Sequence, residues 1–173
     1  AHREENIDIE SNFLSLMNAI NAMAMNYNIP ILYSCHPRSK KNIEKRGFKF
    51  HKNVILNEPL GFFDYNKLQK NAFCVVSDSG TVPEESAYLN FPAISIRTST
   101  ERPEAMDKGV FIIGSITKDQ ILQAVNMAVE MYKKGDDASD VPAYVDENVS
   151  TKVVKLIQSY TGVVNKMVWR KIE

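Results

Sequence analysis

The sequence predicts an α/β fold built on a mostly parallel β-sheet, and two features of the chain predict it. From residue 11 onward, segments with helical periodicity alternate with short β-rich runs, which is the pattern of βαβ units joined by right-handed crossovers. The predicted strands are nearly continuous apolar runs, as expected for strands buried on both faces of a parallel sheet. The chain has 173 residues and is 44% hydrophobic, which is enough for one domain with a substantial core.

Local signals mark each predicted element in turn. In the first helix, apolar residues recur on one face between residues 13 and 24. A basic amphipathic helix over 38–46 is followed by Gly47, a residue suited to ending it. Asp64 is placed to cap a short helix through residue 70. The strands are predicted at 31–34, 54–56, 73–77, 93–96 and 110–113. The remaining helices are predicted at 82–89, 103–108, 117–133 and from 149 onward.

Composition argues against nucleic-acid and membrane partners. Lys+Arg and Asp+Glu are equal at 21 each, so the net charge favours neither a nucleic acid nor an anionic membrane. No apolar run approaches the roughly 20 residues needed to span a bilayer. The basic residues within 38–52 fit the solvated face of a helix better than an RNA-binding patch. Cys35 and Cys74 have no CxxC spacing and are expected to be reduced, buried thiols, which favours a cytoplasmic location.

Residues 1–6 look like a loop between a strand and a helix, yet no strand precedes them. A doubly wound sheet needs a strand near its centre at this point. We therefore expect the chain to be the C-terminal part of a longer polypeptide. On its own, the chain is expected to leave an apolar slot in its sheet and to be marginally stable.

The most informative segment is 74–85, which predicts a buried strand, a tight turn and a helix. Free N–H groups and the positive end of the helix dipole then lie above the strand end. Ser79 and Thr81 add hydroxyls there, and Glu85 is an acceptor suited to a ribose hydroxyl. This arrangement is typical of phosphate sites in α/β proteins. A capping box formed by Thr81 and Glu84 is the alternative, and it needs no ligand.

Further polar loops are expected at the same carboxyl edge of the sheet, where ligands bind in such folds. These loops are 2–6, 36–38 and 98–104. Each also has an explanation without a ligand. His2 fits an ordinary surface histidine, and His36 fits a cap at the end of a strand. Arg102 fits a local salt-bridge cluster with Glu101 and Glu104.

Several short motifs follow one another along nearly the whole chain. They are His-Arg-Glu-Glu-Asn at 2–6, Asp-Ser-Gly at 78–80, Glu-Glu at 84–85 and Thr-Glu-Arg-Pro-Glu at 100–104. In order and spacing, this combination resembles the non-hydrolysing UDP-N-acetylglucosamine 2-epimerase family. Further detail resembles the capsule and O-antigen branch that forms UDP-N-acetyl-L-fucosamine. That detail lies at 36–38, 61–69 and 168–171.

The resemblance implies an architecture of two Rossmann-like domains around a cleft, as in GT-B glycosyltransferases. This chain matches the second, nucleotide-binding domain, over 1–148. A final helix, over 149–173, is then expected to pack toward the N-terminal domain of the same protein. The resemblance also implies a UDP-N-acetylhexosamine substrate, a homodimer when full length, and no nicotinamide or metal cofactor.

Site roles follow from the resemblance, position by position. His2 corresponds to the catalytic histidine of the cleft, near the diphosphate. The predicted substrate-binding residues are Ser79, Gly80 and Thr81 for the phosphates, Glu85 for the ribose, Tyr65 for the uracil and Arg102 for the diphosphate or sugar. Arg3 and His36 match positions that contact a second, allosteric UDP-sugar in some relatives. The family often has glycine at the position of Thr81 and glutamine at that of Pro83, and neither change argues against function.

The implied reaction inverts C2 of the sugar in two steps. The C2 proton is removed while UDP leaves C1, giving a 2-acetamidoglycal, and UDP then adds back with protonation of the opposite face. In the family the carboxylates that act at C2 belong to the first domain, so this chain alone is expected to bind nucleotide weakly without turnover. Three other readings stay open: a GT-B glycosyltransferase, a hydrolysing epimerase, and a nucleotide-sugar-binding module without chemistry.

Overall fold

The computed structural model describes residues 1, 3–135 and 141–171, and within them the chain is an α/β structure with parallel strands, as predicted. The strands are β1 (Ile31–Ser34), β2 (Val54–Asn57), β3 (Val75–Ser77), β4 (Ala93–Ser95) and β5 (Ile112–Ile113). The helices are α1 (Glu4–Ile7), α2 (Glu10–Tyr27), α3 (Pro37–Arg46), α4 (Phe62–Lys70), α5 (Val82–Leu89), α6 (Pro103–Asp107), α7 (Lys118–Lys133) and α8 (Val149–Met167). A short 3₁₀ helix spans Pro142–Tyr144.

Helix boundaries follow the local signals closely, with one correction. Gly47 ends α3 with a φ of 59°, the left-handed conformation that glycine adopts without strain. Asp64, however, does not cap α4. The helix opens earlier, because the Gly61 carbonyl already accepts from the Tyr65 N–H at 2.9 Å. Asp64 therefore lies inside the first turn, where its charge favours the helix dipole.

The strands form two parallel sheets among the described residues, β1–β2 and β3–β4–β5. The core lies where α2 and α7 pack together and against the inner strand β4. It includes Phe13, Leu16, Met17, Ile94, Ile121 and Val125, each 2% exposed or less. This core fixes β4, and through it β3, on which the site described below depends.

An open slot of about 520 Å³ lies between the two sheets. All of β1 and all of β3 line it, together with apolar side chains of α2 and α4. Among the described residues, β1 pairs only with β2 and β3 only with β4, so both strands present an edge to the slot. An unpaired strand edge carries a row of backbone donors and acceptors available to another strand.

The chain divides into two compact units, Ala1–Val141 and Pro142–Glu173. The second unit contains α8, whose apolar residues recur on one face with about half of their surface exposed. They include Val149 (55%), Val153 (45%), Leu156 (58%), Ile157 (61%) and Tyr160 (57%). The division over 1–148 and 149–173, and the packing of the final helix on another domain, stay predictions.

The basic helix α3 holds the start of the chain in place. Arg38 pairs with Glu4 at 3.0 Å and with Asp8 at 2.5 Å. Arg46 donates to the Ile7 carbonyl at 3.0 Å and stacks over the Phe13 ring, 4.4 Å from its centroid. Part of the basic face is thus occupied by intramolecular contacts. Within residues 1, 3–135 and 141–171, none of the helices combines the length and the apolar character that crossing a membrane requires.

Candidate nucleotide site

The candidate site lies at the carboxyl end of β3, where a tight turn leads into α5. The turn is closed by the side chains of its own serines. The Ser79 N–H donates to the Ser77 hydroxyl at 3.1 Å, and the Thr81 N–H reaches the Ser79 hydroxyl at 3.4 Å. The first turn of α5 follows directly. Its N–H groups and the positive end of its dipole therefore lie beside the hydroxyls of Ser79 and Thr81.

The Glu85 carboxylate is held by hydrogen bonds to both of its oxygens. Thr81 Oγ1 donates to Glu85 Oε1 at 2.6 Å, and Gln69 Nε2 donates to Glu85 Oε2 at 2.6 Å. The predicted capping box does not form. Thr81 makes no side-chain cap to the helix, and Glu84 turns to Arg102. The capping-box interpretation of Thr81 and Glu84 was therefore wrong, and the role of Glu85 as a ribose ligand stays a prediction.

Asp78 ties the opening segment of the chain to the same loop. Its side chain is 1% exposed. Oδ2 accepts from the Arg3 backbone N–H at 2.9 Å and from Asn6 Nδ2 at 3.4 Å, and the Asp78 carbonyl accepts from Arg3 Nε at 3.1 Å. Asn6 also donates to the Ile96 carbonyl at 3.1 Å. These bonds bring Arg3 to the β3 end, as the sequence predicts, and place its guanidinium at the rim of the turn.

Arg97 is a basic residue near the site that sequence reasoning missed. It follows β4 and is only 4% exposed, with its guanidinium bonded to both oxygens of Glu101 at 2.8 and 2.5 Å. That hydrogen bonding lowers the pKa of the Glu101 carboxyl. A Cβ added at Gly80 would lie 3.8 Å from Arg97 Nη1, so the guanidinium lies beside the turn. An arginine directly after a buried apolar strand was the available signal.

Arg102 reaches the site through α5. Its Nε pairs with the Glu84 carboxylate, and its N–H is held by the Thr100 hydroxyl at 3.2 Å. Glu101, by contrast, pairs with Arg97. The loop after β4 is thus anchored to the helix that follows β3, which places Arg102 beside the first turn of α5.

Tyr65 lies on α4 and is half-buried. Burial is the main cause that raises the pKa of its phenol, and the charges of Glu85 and Asp78 raise it further. Tyr65 is therefore close to the carboxylates of the site and carries a neutral hydroxyl at physiological pH.

His36 lies at the start of α3 rather than at the turn after β3. His36 caps α3, since its Nδ1 accepts from the Arg38 N–H at 3.2 Å, and it stands at the end of β1, across the slot from β3. The sequence predicted that His36 caps the end of a strand, and the structure shows that its side chain caps the start of α3 instead. His2 lies outside the described residues. Gln69 closes the 61–69 motif but received no predicted role, and it joins the cluster through Glu85.

Parallel strands covered by helices, with hydroxyls, a helix N-terminus and a carboxylate at one strand end, define an α/β protein with a candidate phosphate and ribose site. The family described as UDP-N-acetylglucosamine 2-epimerase matches residues 1–158. The chain therefore belongs to the UDP-N-acetylglucosamine 2-epimerase family, a family of isomerases.

Individual relatives agree with this membership. A UDP-N-acetylglucosamine 2-epimerase from Methanocaldococcus jannaschii is 33% identical over 130 residues, which are 73% of this chain and 36% of that protein. The solved structure of the enzyme from Rickettsia bellii is 35% identical with a TM-score of 0.78, covering 98% of this chain and 45% of that chain. The M. jannaschii enzyme in complex with UDP-GlcNAc and UDP superposes with a TM-score of 0.80 at 29% identity, over 91% of this chain and 43% of that chain. The chain thus spans less than half the length of these relatives.

Proposed function

We propose that this chain is the UDP-binding half of a UDP-N-acetylhexosamine 2-epimerase. The observation that carries the proposal is the hydrogen-bonded group formed by Ser79, Thr81 and Glu85 at the start of α5. It combines hydroxyl donors and a helix N-terminus for phosphate with a carboxylate for ribose. Family membership, and a relative solved with UDP-GlcNAc and UDP, support a uridine nucleotide as the ligand.

The reaction proposed for the complete protein starts with cleavage of the C2–H bond. A base takes the proton, the electron pair forms the C1–C2 double bond, and UDP leaves C1 with the electrons of the C1–O bond. Addition of UDP and a proton to the 2-acetamidoglycal, with the proton on the opposite face, completes the inversion. Such a reaction needs positive charge and donors around the departing diphosphate.

This chain supplies groups for the leaving diphosphate. The α5 N-terminus, the Ser79 and Thr81 hydroxyls and the backbone at Gly80 would bind phosphate, with Arg102 beside them. Glu85 would take a ribose hydroxyl and Tyr65 would stack on uracil. His2 is proposed as the catalytic histidine near the diphosphate. Arg3 and His36 are proposed to contact a second, allosteric UDP-sugar.

Conversion at C2 is proposed to require carboxylates from the other half of the protein. The chain alone should then bind UDP weakly and show no turnover. The proposed products are UDP-N-acetyl-L-fucosamine or UDP-N-acetylmannosamine, used in capsule or O-antigen synthesis. The fucosamine product rests on the motifs at 36–38, 61–69 and 168–171.

We also propose that a β-strand from polypeptide outside the described residues fills the slot between β1 and β3. The slot is lined by two strand edges and by apolar side chains, and a strand is the occupant that pairs with both edges at once. This would join the two parallel sheets into one continuous sheet.

Titration calorimetry of UDP against ADP tests the nucleotide assignment. We expect the protein to bind UDP more tightly than ADP. We expect Ser79→Ala to raise the dissociation constant for UDP by about tenfold, because a hydrogen bond to a charged phosphate is lost. Ser159→Ala, on α8, is the matched control, since Ser159 bonds only a carbonyl of its own helix among the described residues. Equal affinity for UDP and ADP would contradict the assignment.

Solvent isotope exchange tests the reaction class. The full-length protein is incubated with a UDP-N-acetylhexosamine in D₂O, and the products are followed by NMR. Elimination and re-addition predict deuterium at C2 of the epimerised UDP-sugar. Free sugar with free UDP would indicate hydrolysis instead, and the absence of any C2-inverted UDP-sugar among the products would contradict the proposed reaction.

A further inference from the structure

Gln69 is a buried amide in the last turn of α4, at the edge of the candidate site. It is only 3% exposed, which is unusual for glutamine. Its Nε2 lies 2.6 Å from Glu85 Oε2 on α5. It is the last residue of the 61–69 motif, and the family resemblance gives it no role.

The direction of the protons in this cluster follows from chemistry. A carboxylate only accepts hydrogen bonds, so the amide NH₂ of Gln69 and the hydroxyl of Thr81 must both donate to Glu85. Because the Thr81 proton is directed at Glu85, the 3.1 Å contact between the two hydroxyls is a donation from Ser79 to Thr81. The result is one ordered chain of hydrogen bonds that converges on Glu85 from both sides. Ser79 would exchange its bond to Thr81 for a donation to phosphate when the proposed nucleotide binds.

Glu85 keeps capacity for a ligand in this arrangement. Its two oxygens offer about four lone-pair sites, and the bonds from Gln69 and Thr81 occupy one on each oxygen. The remaining sites can accept hydroxyl groups. With both oxygens held, the carboxylate keeps one orientation and does not have to be ordered when a ligand binds.

The fold itself gains little from having glutamine at this position. Among the described residues, Gln69 Oε1 is buried without a hydrogen-bond partner, which lowers stability. An apolar side chain of similar length would fill the same space without this unpaired carbonyl. The glutamine is therefore better explained by what its NH₂ group does for Glu85.

We propose that Gln69 is a positioning residue that orients the Glu85 carboxylate to accept a ribose hydroxyl of the bound nucleotide. This rests on the proposed function, in which Glu85 is the ribose acceptor. Gln69 also lies one helical turn after Tyr65 on α4. The bond between Gln69 and Glu85 thus ties the helix that would contact the base to the helix that would contact the ribose and phosphates.

The test measures preference for a ribose that carries its hydroxyls. Dissociation constants of the full-length protein are determined for UDP and for 2′,3′-dideoxy-UDP, which lacks both hydroxyls, and their ratio gives the preference. In Gln69→Met we expect this preference to fall about fivefold. The dissociation constant for UDP should rise, and that for dideoxy-UDP should stay nearly unchanged. A structural effect on the whole pocket would weaken both ligands equally.

A double substitution shows whether Gln69 acts through Glu85. In a Glu85→Gln background, Gln69→Met should change the preference no further. Gln120→Met is the matched control, because Gln120 also pairs through its side chain, with Thr117 at 2.6 Å, but on the exposed surface of α7. This control should keep the wild-type preference. If Gln69→Met does not fold, Gln69→Leu replaces it.

The two hypotheses fail in different ways. A wild-type protein that does not bind UDP, or does not prefer it over dideoxy-UDP, overturns both the proposed function and the role of Gln69. A wild-type preference that persists in Gln69→Met overturns the positioning role alone. So does an equal loss in the Glu85→Gln background, since Gln69 would then act independently of Glu85.

Discussion

At the scale of single residues, the role of each glutamate on α5 depends on the side chain with which it pairs. Glu84 and Glu85 are neighbours in the sequence, yet one pairs with Arg102 and the other with Thr81 and Gln69. Glu84 thereby fastens the loop after β4 to α5, and Glu85 is left facing the turn after β3. Adjacent residues on a helix point in different directions, so equal chemistry at 84 and 85 gives two different roles.

The Arg97–Glu101 pair predicts a dependence of stability on pH. The pKa of Glu101 is lowered from 4.5 in the folded protein, mainly by the hydrogen bond from Arg97. Because the folded state favours the ionised Glu101 carboxylate, this group stabilises the fold above pH 4.5, and the stabilisation is lost as the pH falls through the lowered pKa. We expect Glu101→Gln to lower the urea midpoint at neutral pH, and the difference from wild type to vanish in acid.

Urea unfolding from neutral to acid pH checks this expectation. Glu130→Gln is the control, because Glu130 pairs with the exposed Lys133, whereas Arg97 is 4% exposed and loses its partner inside the protein. The control should lower the midpoint less. A constant difference between Glu101→Gln and wild type at every pH would contradict a role for the Glu101 charge.

At the scale of secondary-structure elements, the helix ends were the most predictable part of the chain. Gly47 was predicted to stop α3 and has the expected positive φ. The end of α2 follows the same rule with asparagine, since Asn28 has a φ of 50°. Asp64 shows the limit of such signals. A capping residue type is also common in the first turn, and only the backbone decides which position it takes.

The conformation at Gly47 predicts opposite effects for two alanine substitutions. A Cβ added at Gly47 or at Gly162 would have no atom within 4 Å, so the two positions differ only in their backbone conformation. Gly47→Ala should destabilise by about 1 kcal/mol, because its φ is left-handed. Gly162→Ala, inside α8, should raise helix stability by about 1 kcal/mol.

Thermal and urea unfolding, followed by circular dichroism, measure both effects. Gly47→Asn serves as a further check, since asparagine tolerates the left-handed region better than alanine and should lose less stability. Equal destabilisation by Gly47→Ala and Gly47→Asn would show that the φ angle is not the cause.

At the scale of the whole molecule, the slot between β1 and β3 separates the two sheets, and the reactivity of Cys74 can report whether it is filled. Cys74 lines the slot, and burial raises the pKa of its thiol from 9.0 to about 12. At pH 9 the thiolate fraction should then be lower than that of an ordinary cysteine by about a hundredfold or more. Alkylation should accelerate as the pH rises toward 12.

Comparison of the 173-residue chain with the full-length protein tests the slot proposal. In a Cys35→Ser background, Cys74 alkylation by iodoacetamide is followed by mass spectrometry at pH 9. A strand seated between β1 and β3 would cover Cys74, so the full-length protein should react more slowly still. Equal rates in two folded samples would show that the slot is not filled.

By itself, the sequence determined the α/β class, the order of strands and helices, and the gathering of Ser79, Thr81 and Glu85 at one strand end. These follow from periodicity, from glycine and capping signals, and from the rule that the loops after parallel strands share an edge. Only the tertiary structure decided the partners: Gln69 for Glu85, Arg102 for Glu84, and Asp78 for the opening segment. These contacts join residues whose neighbourhood depends on how helices and loops pack around the sheet, and side-chain pairing at that distance leaves no periodic signal in the chain.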